Sequence, residues 1–375
     1  MVYYYMILIL LILPMSYACI GYYRMINVRN LVLATGLGIL ACFMSFRAES
    51  VGADTCQYVW GFQQISHTPW SELFSVKIYG AGHMFSAGGY ELNFEYGYRL
   101  YNKLISIISE DNQAIIIANS LLIIFLLGKL LKSHSPCVFL SIWLYITLGI
   151  FQTQMNMARN AIAILICYIG CNYIEKHDIK KFLLFVVTAS FFHISSILYV
   201  PLYWLINNVK LTTKRVVEML LVSIGFGAAF SFIQPVLVTY LPFGLGHYFI
   251  GNTSKFEGLV LGAFHLVLFF LVIMLIERQE RTRAIQCEPI GIWMFIAEML
   301  FFCIGYDIAS ATRMAALFGP YLIILIPNLI ENGIKSKNGR LNAIVMIFVI
   351  AGIQYLIRLQ INNIGSTMPY IFFWE

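Results

Sequence analysis

A chain of 375 residues that is 60% hydrophobic and only 11% charged falls outside the soluble globular classes and reads as a polytopic helical membrane protein. Its apolar segments are long and continuous rather than alternating, which excludes a membrane barrel. The net charge of +6 does not point to nucleic acid, because excess Lys and Arg in a membrane protein reflects topology; no nucleic-acid partner is expected.

With about 20 apolar residues taken as one span, the candidates in chain order are 2–20, 31–46, 113–131, 136–152, 156–174, 215–241, 258–276, 289–306, 313–331 and 341–358. The first lacks a basic leading region and a small-residue cleavage site, so it reads as a retained span. The fold expected is all-α: a single transmembrane domain over 1–375, with about ten transmembrane helices and one hairpin. Short loops rich in Lys and Arg mark the cytoplasmic side. These carry Arg24 and Arg29; Lys129 and Lys132; Lys176, Lys180 and Lys181; Lys210, Lys214 and Arg215; Arg278, Arg281 and Arg283; and Lys335, Lys337 and Arg340.

The apolar run 182–206 has basic residues at both ends, so one crossing would invert the sidedness of everything after it. A hairpin entering from the cytoplasm as KFLLFVVTASFF, turning near His193 and returning as ILYVPLYWLI, keeps the sidedness consistent. Its tip is tolerated inside the membrane only where it lines a cavity or packs on other helices. Two tilted full crossings serve equally, and both choices put His193 toward the outer half. Both termini then face outside.

The longest hydrophilic segment, 47–112, also lies outside, with seven acidic residues against four basic. It is the candidate substrate-handling loop. Asp54 sits just past the second span in RAESVGADTCQYVWGF, where a turn or helix-capping aspartate is the plain alternative to a functional one. Near 94–109 an amphipathic helix is expected, with Leu100, Leu104, Ile107 and Ile108 on one face. Glu95 and Arg99, four apart in FEYGYRLYNKL, also fit a simple helix pair.

The span FQTQMNMARNAIAILICYIGCNYIEK (151–176) opens with Gln152, Gln154, Asn156, Arg159 and Asn160. A guanidinium in hydrocarbon costs several kcal/mol unless paired or wet. Asn156 and Arg159 share a face, and a helix N-terminus favours an anion. A planar guanidinium suits phosphate or carboxylate. A snorkelling arginine, or one paired with a loop acid, explains the residue as well. Further on, His193 in SFFHISSILY fits either a buried structural histidine or a titratable one. Glu298 lies mid-span in GIWMFIAEMLFF and needs a partner or a proton, and Arg313 opens its helix much as Arg159 does, with Asp307 just before it.

Eight cysteines are scattered through the chain and suggest no disulfide framework; Cys167 and Cys171, one turn apart in a span, fit packing better than metal binding. Walker loops, H-E-x-x-H, G-x-S-x-G and Rossmann glycines are absent, so neither nucleotide-driven chemistry nor a cofactor is expected, and no carboxylate cluster calls for a metal.

The chain resembles the EpsG family of bacterial exopolysaccharide and O-antigen polymerases, the Wzy-like group. The matching stretches are Arg47 with GADTCQY (52–58), NFEYGYRLYNKLI (93–105), QMNMARNAIAILI (154–166), SFFHISSILYVPLYWL (190–205), IASATRMAALF (308–318) and MPY (368–370). The pattern departs at Ala315-Ala316-Leu317-Phe318, which is less polar and aromatic than the family's arginine region. The resemblance implies polymerisation of undecaprenyl-diphosphate-linked repeat units at the outer face of the bacterial cytoplasmic membrane, on a membrane glycosyltransferase architecture of the GT-C type. It also implies membrane lipids, a chain-length regulator and a flippase as partners.

Under that reading, an acceptor sugar hydroxyl attacks the donor's anomeric carbon and lipid diphosphate leaves. Pre-placed cations lower the barrier as charge develops on the leaving group. Arg159 is the first candidate, with Arg99 and Arg313 assisting, and Asn156 and Gln152 bonding sugar or phosphate. The acceptor needs a base within hydrogen-bond reach: Asp54, then Glu95, with His193 as the rival. A flippase or exporter of lipid-linked sugars, a membrane O-acyltransferase built on His193, and a non-catalytic assembly partner are the competing functions.

Overall fold

The structure, a computed structural model, describes Tyr4, Ile7 and residues 26–80, 91–240, 265–277, 288–305, 309–361 and 363–375. It is all-α; the described residues contain two isolated bridges, Arg47 with Phe372 and Tyr79 with Glu91, but no strand. Four described helices are long and apolar enough to cross a membrane: 28–45, 112–134, 313–333 and 337–360. A bent pair, 138–147 with 150–156, makes a fifth if it counts as one span. The expected first span, apart from Tyr4 and Ile7, and the first part of the 258–276 span lie outside the described residues.

The chain divides into two compact units, Met1–Pro201 with Asn363–Glu375, and Leu202–Asn362. In the first, α1 (Ile26–Ser45) is followed by two helices of the outer loop, α2 (Thr55–His67) and α3 (Tyr96–Ile108). Then come α4 (Asn112–His134), α5 (Val138–Thr147), α6 (Ile150–Asn156), α7 (Ala158–Gly170) and α8 (Ile179–Ser190). A 3-10 turn (Ile194–Tyr199) leads into α9 (Val200–Asn208). α4 packs on α1 and α7, α8 lies against α7, and α2 and α3 pack on each other and on α4. Val59, Phe62, Ile115 and Ile116 form the buried apolar centre where α2 meets α4, with Tyr101 and Ile105 of α3 against it.

The ends of these helices are tied by cations. Arg29, at the start of α1, donates to the carbonyls of Lys132 (2.6 Å) and Ser135 (3.1 Å) at the end of α4, where carbonyls are left over and the helix dipole favours positive charge. At the other end of α1, Arg47 is buried and donates to Met44 O, to Ser120 Oγ of α4 (3.2 Å) and to Met155 O of α6 (3.0 Å). Burial pushes its guanidinium down to about 10, with nearby tyrosines opposing.

The expected span 136–152 is broken: α5 and α6 meet at 62°, because Gly149 takes a left-handed φ of 76° that a residue with a Cβ resists. A second break at Met157 separates α6 from α7. The turn expected near His193 falls at Phe191–His193, between α8 and the 3-10 turn. The C-terminal segment folds back into the first unit. Ala48 N–H donates to Ile371 O (2.9 Å), Gly52 N–H to Ser366 O (2.9 Å) and Tyr370 Oη to Phe43 O (2.5 Å).

The second unit contains α10 (Thr213–Tyr240), α11 (His265–Glu277), α12 (Pro289–Gly305), α13 (Ala309–Phe318), α14 (Leu322–Gly333) and α15 (Lys337–Ile361). α12 packs on α10 and α13. Glu298, expected to need a partner, has one in His265, at 3.4 Å between Oε1 and Nε2, with Phe302 stacked on the imidazole.

Candidate functional site

Three separate pieces of chain meet in the first unit. α3 is preceded by Glu95, in extended conformation at its cap position. α7 begins at Ala158 after the Met157 break, which puts Arg159 in its first turn. His193 follows the end of α8 in extended conformation, just before the 3-10 turn.

Glu95 joins the other two. Its Oε2 accepts from Arg159 Nη1 at 2.6 Å, and its Oε1 faces His193 Nδ1 at 3.0 Å and Ile194 N–H at 3.3 Å. The side chains are partly open, 17% exposed for Glu95, 18% for Arg159 and 29% for His193. Arg159 also donates to Asn93 O at 2.9 Å, and its Cζ lies 4.6 Å from the Phe94 ring centre, with Tyr58 and Tyr98 nearby. The aromatic faces add cation–π attraction and limit the guanidinium's freedom.

Burial works to raise the Glu95 pKa, but the hydrogen bond from His193 and the charge of Arg159 outweigh it, and the carboxyl is held below its ordinary value. Glu95 is therefore an ion at neutral pH. A carboxylate only accepts, so Nδ1 is the His193 nitrogen that donates to it, and Nε2 is the ring nitrogen not bound to Glu95. That arrangement fixes the orientation of the His193 ring through Glu95.

Asn156, at the end of α6, makes a separate contact with the outer loop. Its Oδ1 accepts from Asp54 N–H at 2.8 Å. Asp54 precedes α2 at the capping position, yet its carboxylate makes no capping bond. Two glycines with left-handed φ let the backbone close around Asn156. A Cβ on Gly52 (φ 96°) would meet Asn156 Cα at 3.3 Å, and one on Gly365 (φ 63°) would meet Gln152 O at 2.7 Å.

The expected residues thus separate by situation. Glu95, Arg159 and His193 are brought into direct contact, and Asp54 is held by Asn156. Arg99 does not pair with Glu95 as its spacing suggests. It is buried and donates to Phe94 O (2.9 Å), Val76 O (2.7 Å) and Leu73 O (3.4 Å), pinning the stretch before α3. Gln152 is fully buried. Arg313 is exposed on α13 of the second unit, which starts a turn earlier than expected, and Asp307 lies outside the described residues. The residue absent from the candidate set is Arg47, although it opens the first matching stretch; its clamp on Met155 is what fixes α6 beside α1.

An all-helical protein with helices of membrane-spanning length and a charged cluster between loop and helix ends is the class these features define. The EpsG family model matches residues 30–372, nearly the whole chain, and the chain belongs to the EpsG family. It is a membrane protein of polysaccharide biosynthesis. No curated protein and no solved structure matches it.

Proposed function

We propose that the protein is a glycosyltransferase that joins undecaprenyl-diphosphate-linked repeat units into exopolysaccharide, O-antigen or capsule. It acts at the outer face of the bacterial cytoplasmic membrane, on a GT-C-like scaffold of about ten helices. The observation that carries this reading is the single carboxylate, Glu95, that holds a cation on one oxygen and a histidine on the other. That pairing matches what transfer from a lipid diphosphate needs: a base for the incoming hydroxyl and a cation for the departing anion.

In the proposed step the acceptor hydroxyl gives its proton to His193 Nε2 while its oxygen bonds to the donor's anomeric carbon. The bond from that carbon to the diphosphate oxygen breaks, and the lipid diphosphate leaves with the electron pair. The charge that His193 gains is offset by Glu95 beside it. Arg159 stabilises the developing phosphate charge from the first turn of α7, where unpaired helix N–H groups add to the positive field. Asn156 and Asp54 border the acceptor side.

A His193–Glu95 pair also suits acyl transfer to a sugar hydroxyl, so O-acylation is the second reading. The test is a gel of lipid-linked glycan from cells with the wild type, Arg159→Ala, His193→Gln and Asp54→Asn at equal protein levels. The proposal expects the ladder to collapse to single repeat units with Arg159→Ala and His193→Gln. An intact ladder that has lost acyl groups would establish the second reading. Loss of outward-facing single units would indicate transport instead.

A further inference from the structure

The amphipathic helix α3 is turned inside out relative to a soluble protein. Its polar side is the buried one: Arg99, Asn102, Lys103 and Ser106 all face inward. Lys103 Nζ donates to Ser66 O (2.8 Å) and Ile65 O (3.3 Å) at the end of α2, while Arg99 donates to the carbonyls already named. Its apolar side is the open one, with Tyr96, Leu100, Leu104, Ile107 and Ile108 exposed, the last two 67% and 82%. A helix that spends its cations on backbone carbonyls and leaves its leucines and isoleucines bare is built for an apolar surrounding.

Two features say which surrounding. Ser109–Asp111 alone separate α3 from α4, a helix long enough to span, so α3 ends where a crossing begins. The bare face also continues onto neighbours: Tyr98 N–H donates to Phe191 O, and Phe191, Ile194, Ile197 and Leu198 are exposed there, as are Leu121 and Phe125 along α4. An apolar surface that runs from an outer-loop helix onto a spanning helix matches bilayer hydrocarbon and not a local protein partner.

We infer that α3 lies in the plane of the outer leaflet, with Leu100, Leu104, Ile107 and Ile108 in contact with acyl chains. At 1.5 Å per residue this helix is about 20 Å long, and Glu95 immediately precedes its N-terminal end. The helix therefore sets the Glu95–His193–Arg159 cluster at the depth where a lipid-anchored headgroup lies. The inference rests on the membrane setting and not on the polymerisation chemistry, so failure of the glycan assay leaves it standing.

The test uses the wild-type protein in liposomes with a phospholipid carrying a diazirine on its acyl chain, followed by peptide mapping. Adducts on the 100–108 segment are expected, and none on the loop segment around Lys77, whose side chain is exposed. In parallel, spin labels at Ile108→Cys and Lys77→Cys in a background without accessible cysteines are compared. The Ile108 label should be relaxed by oxygen and protected from a water-soluble nickel complex, and the Lys77 label the reverse. Equal nickel access at both positions would overturn the inference, as would an Ile108 label closed to both reagents or one that cross-links to a second copy. Absence of lipid adducts on 100–108 would do the same.

Discussion

Glu95 divides its carboxylate between Arg159, 64 residues away, and His193, 98 residues away. Losing it leaves a partly buried guanidinium without its counter-ion and an imidazole free to turn. Because the folded-state pKa of Glu95 lies below its ordinary value, its contribution to stability is present above that value and is lost as pH falls through the folded one. Glu95→Gln should therefore melt below the wild type at pH 7 in detergent, and the gap should close as pH falls below the ordinary carboxylate range. A gap that stays constant across this range would show that Glu95 is not held as an ion. On the proposed mechanism the rate should fall as well: a positioned base is worth about 100- to 10,000-fold, and Glu95→Gln should lose part of that while His193→Gln loses most. The sequence brought Glu95, Arg159 and His193 forward as separate candidates, because each is a charged or titratable group expected at the outer face. Their contact was not legible. The nearest opposite charge to Glu95 along the chain is Arg99, four residues on, and local spacing favours that pair. The competing acceptors for Arg99, the carbonyls of Leu73 and Val76, come from an irregular stretch that has no periodic signature.

At the level of elements, the amphipathic spacing of α3 was legible, and the direction it faces was not. Periodicity reports that two faces differ and leaves open whether core or lipid receives the apolar one. The breaks at Gly149 and Met157 were hidden for a related reason: hydropathy sees one apolar run, whereas the bend depends on a backbone angle. Glycines carry a second prediction. Gly365→Ala forces a Cβ against Gln152 O in a left-handed conformation and should cost about 1–3 kcal/mol, read as a lower Tm. Gly225→Ala, whose Cβ meets nothing within 4 Å in the middle of α10, should leave Tm unchanged or raise it slightly. Equal effects would mean that the Gly365 turn does not hold Asn156 in place.

For the whole molecule, the basic-loop pattern predicts two faces. Arg29 and the end of α4 meet at one end; Arg47, Asp54, Asn156 and Glu95 gather with helix ends of the opposite polarity. The C-terminal segment packs beside Arg47 and Gly52, on the outer-loop side. A cysteine at Glu375 should thus react with a membrane-impermeant maleimide added to intact cells, whereas one at Ile206 in α9 should react only once the cytoplasmic side is opened. Outside labelling at Ile206 would rule out the hairpin that keeps later loops positive-inside.

That C-terminal segment also imposes an order on biogenesis. The chain emerges N-terminal end first, so α1 to α8 are in place before Leu202–Asn362 has been made. Ser366 and Ile371, which bond the turn at Ala48–Gly52, arrive only after that whole intervening unit has been inserted. The backbone around Asn156 is therefore closed only after the second unit, by a segment distant in the chain. An N-terminal fragment ending at Pro201 would contain Glu95, Arg159 and His193 and still lack the segment that packs on Gly52 and Gln152 beside Asn156. Synthesis of the second unit and closure of the backbone around Asn156 are thus coupled, so Asn156 and Gly52 stay uncovered in a half-made protein.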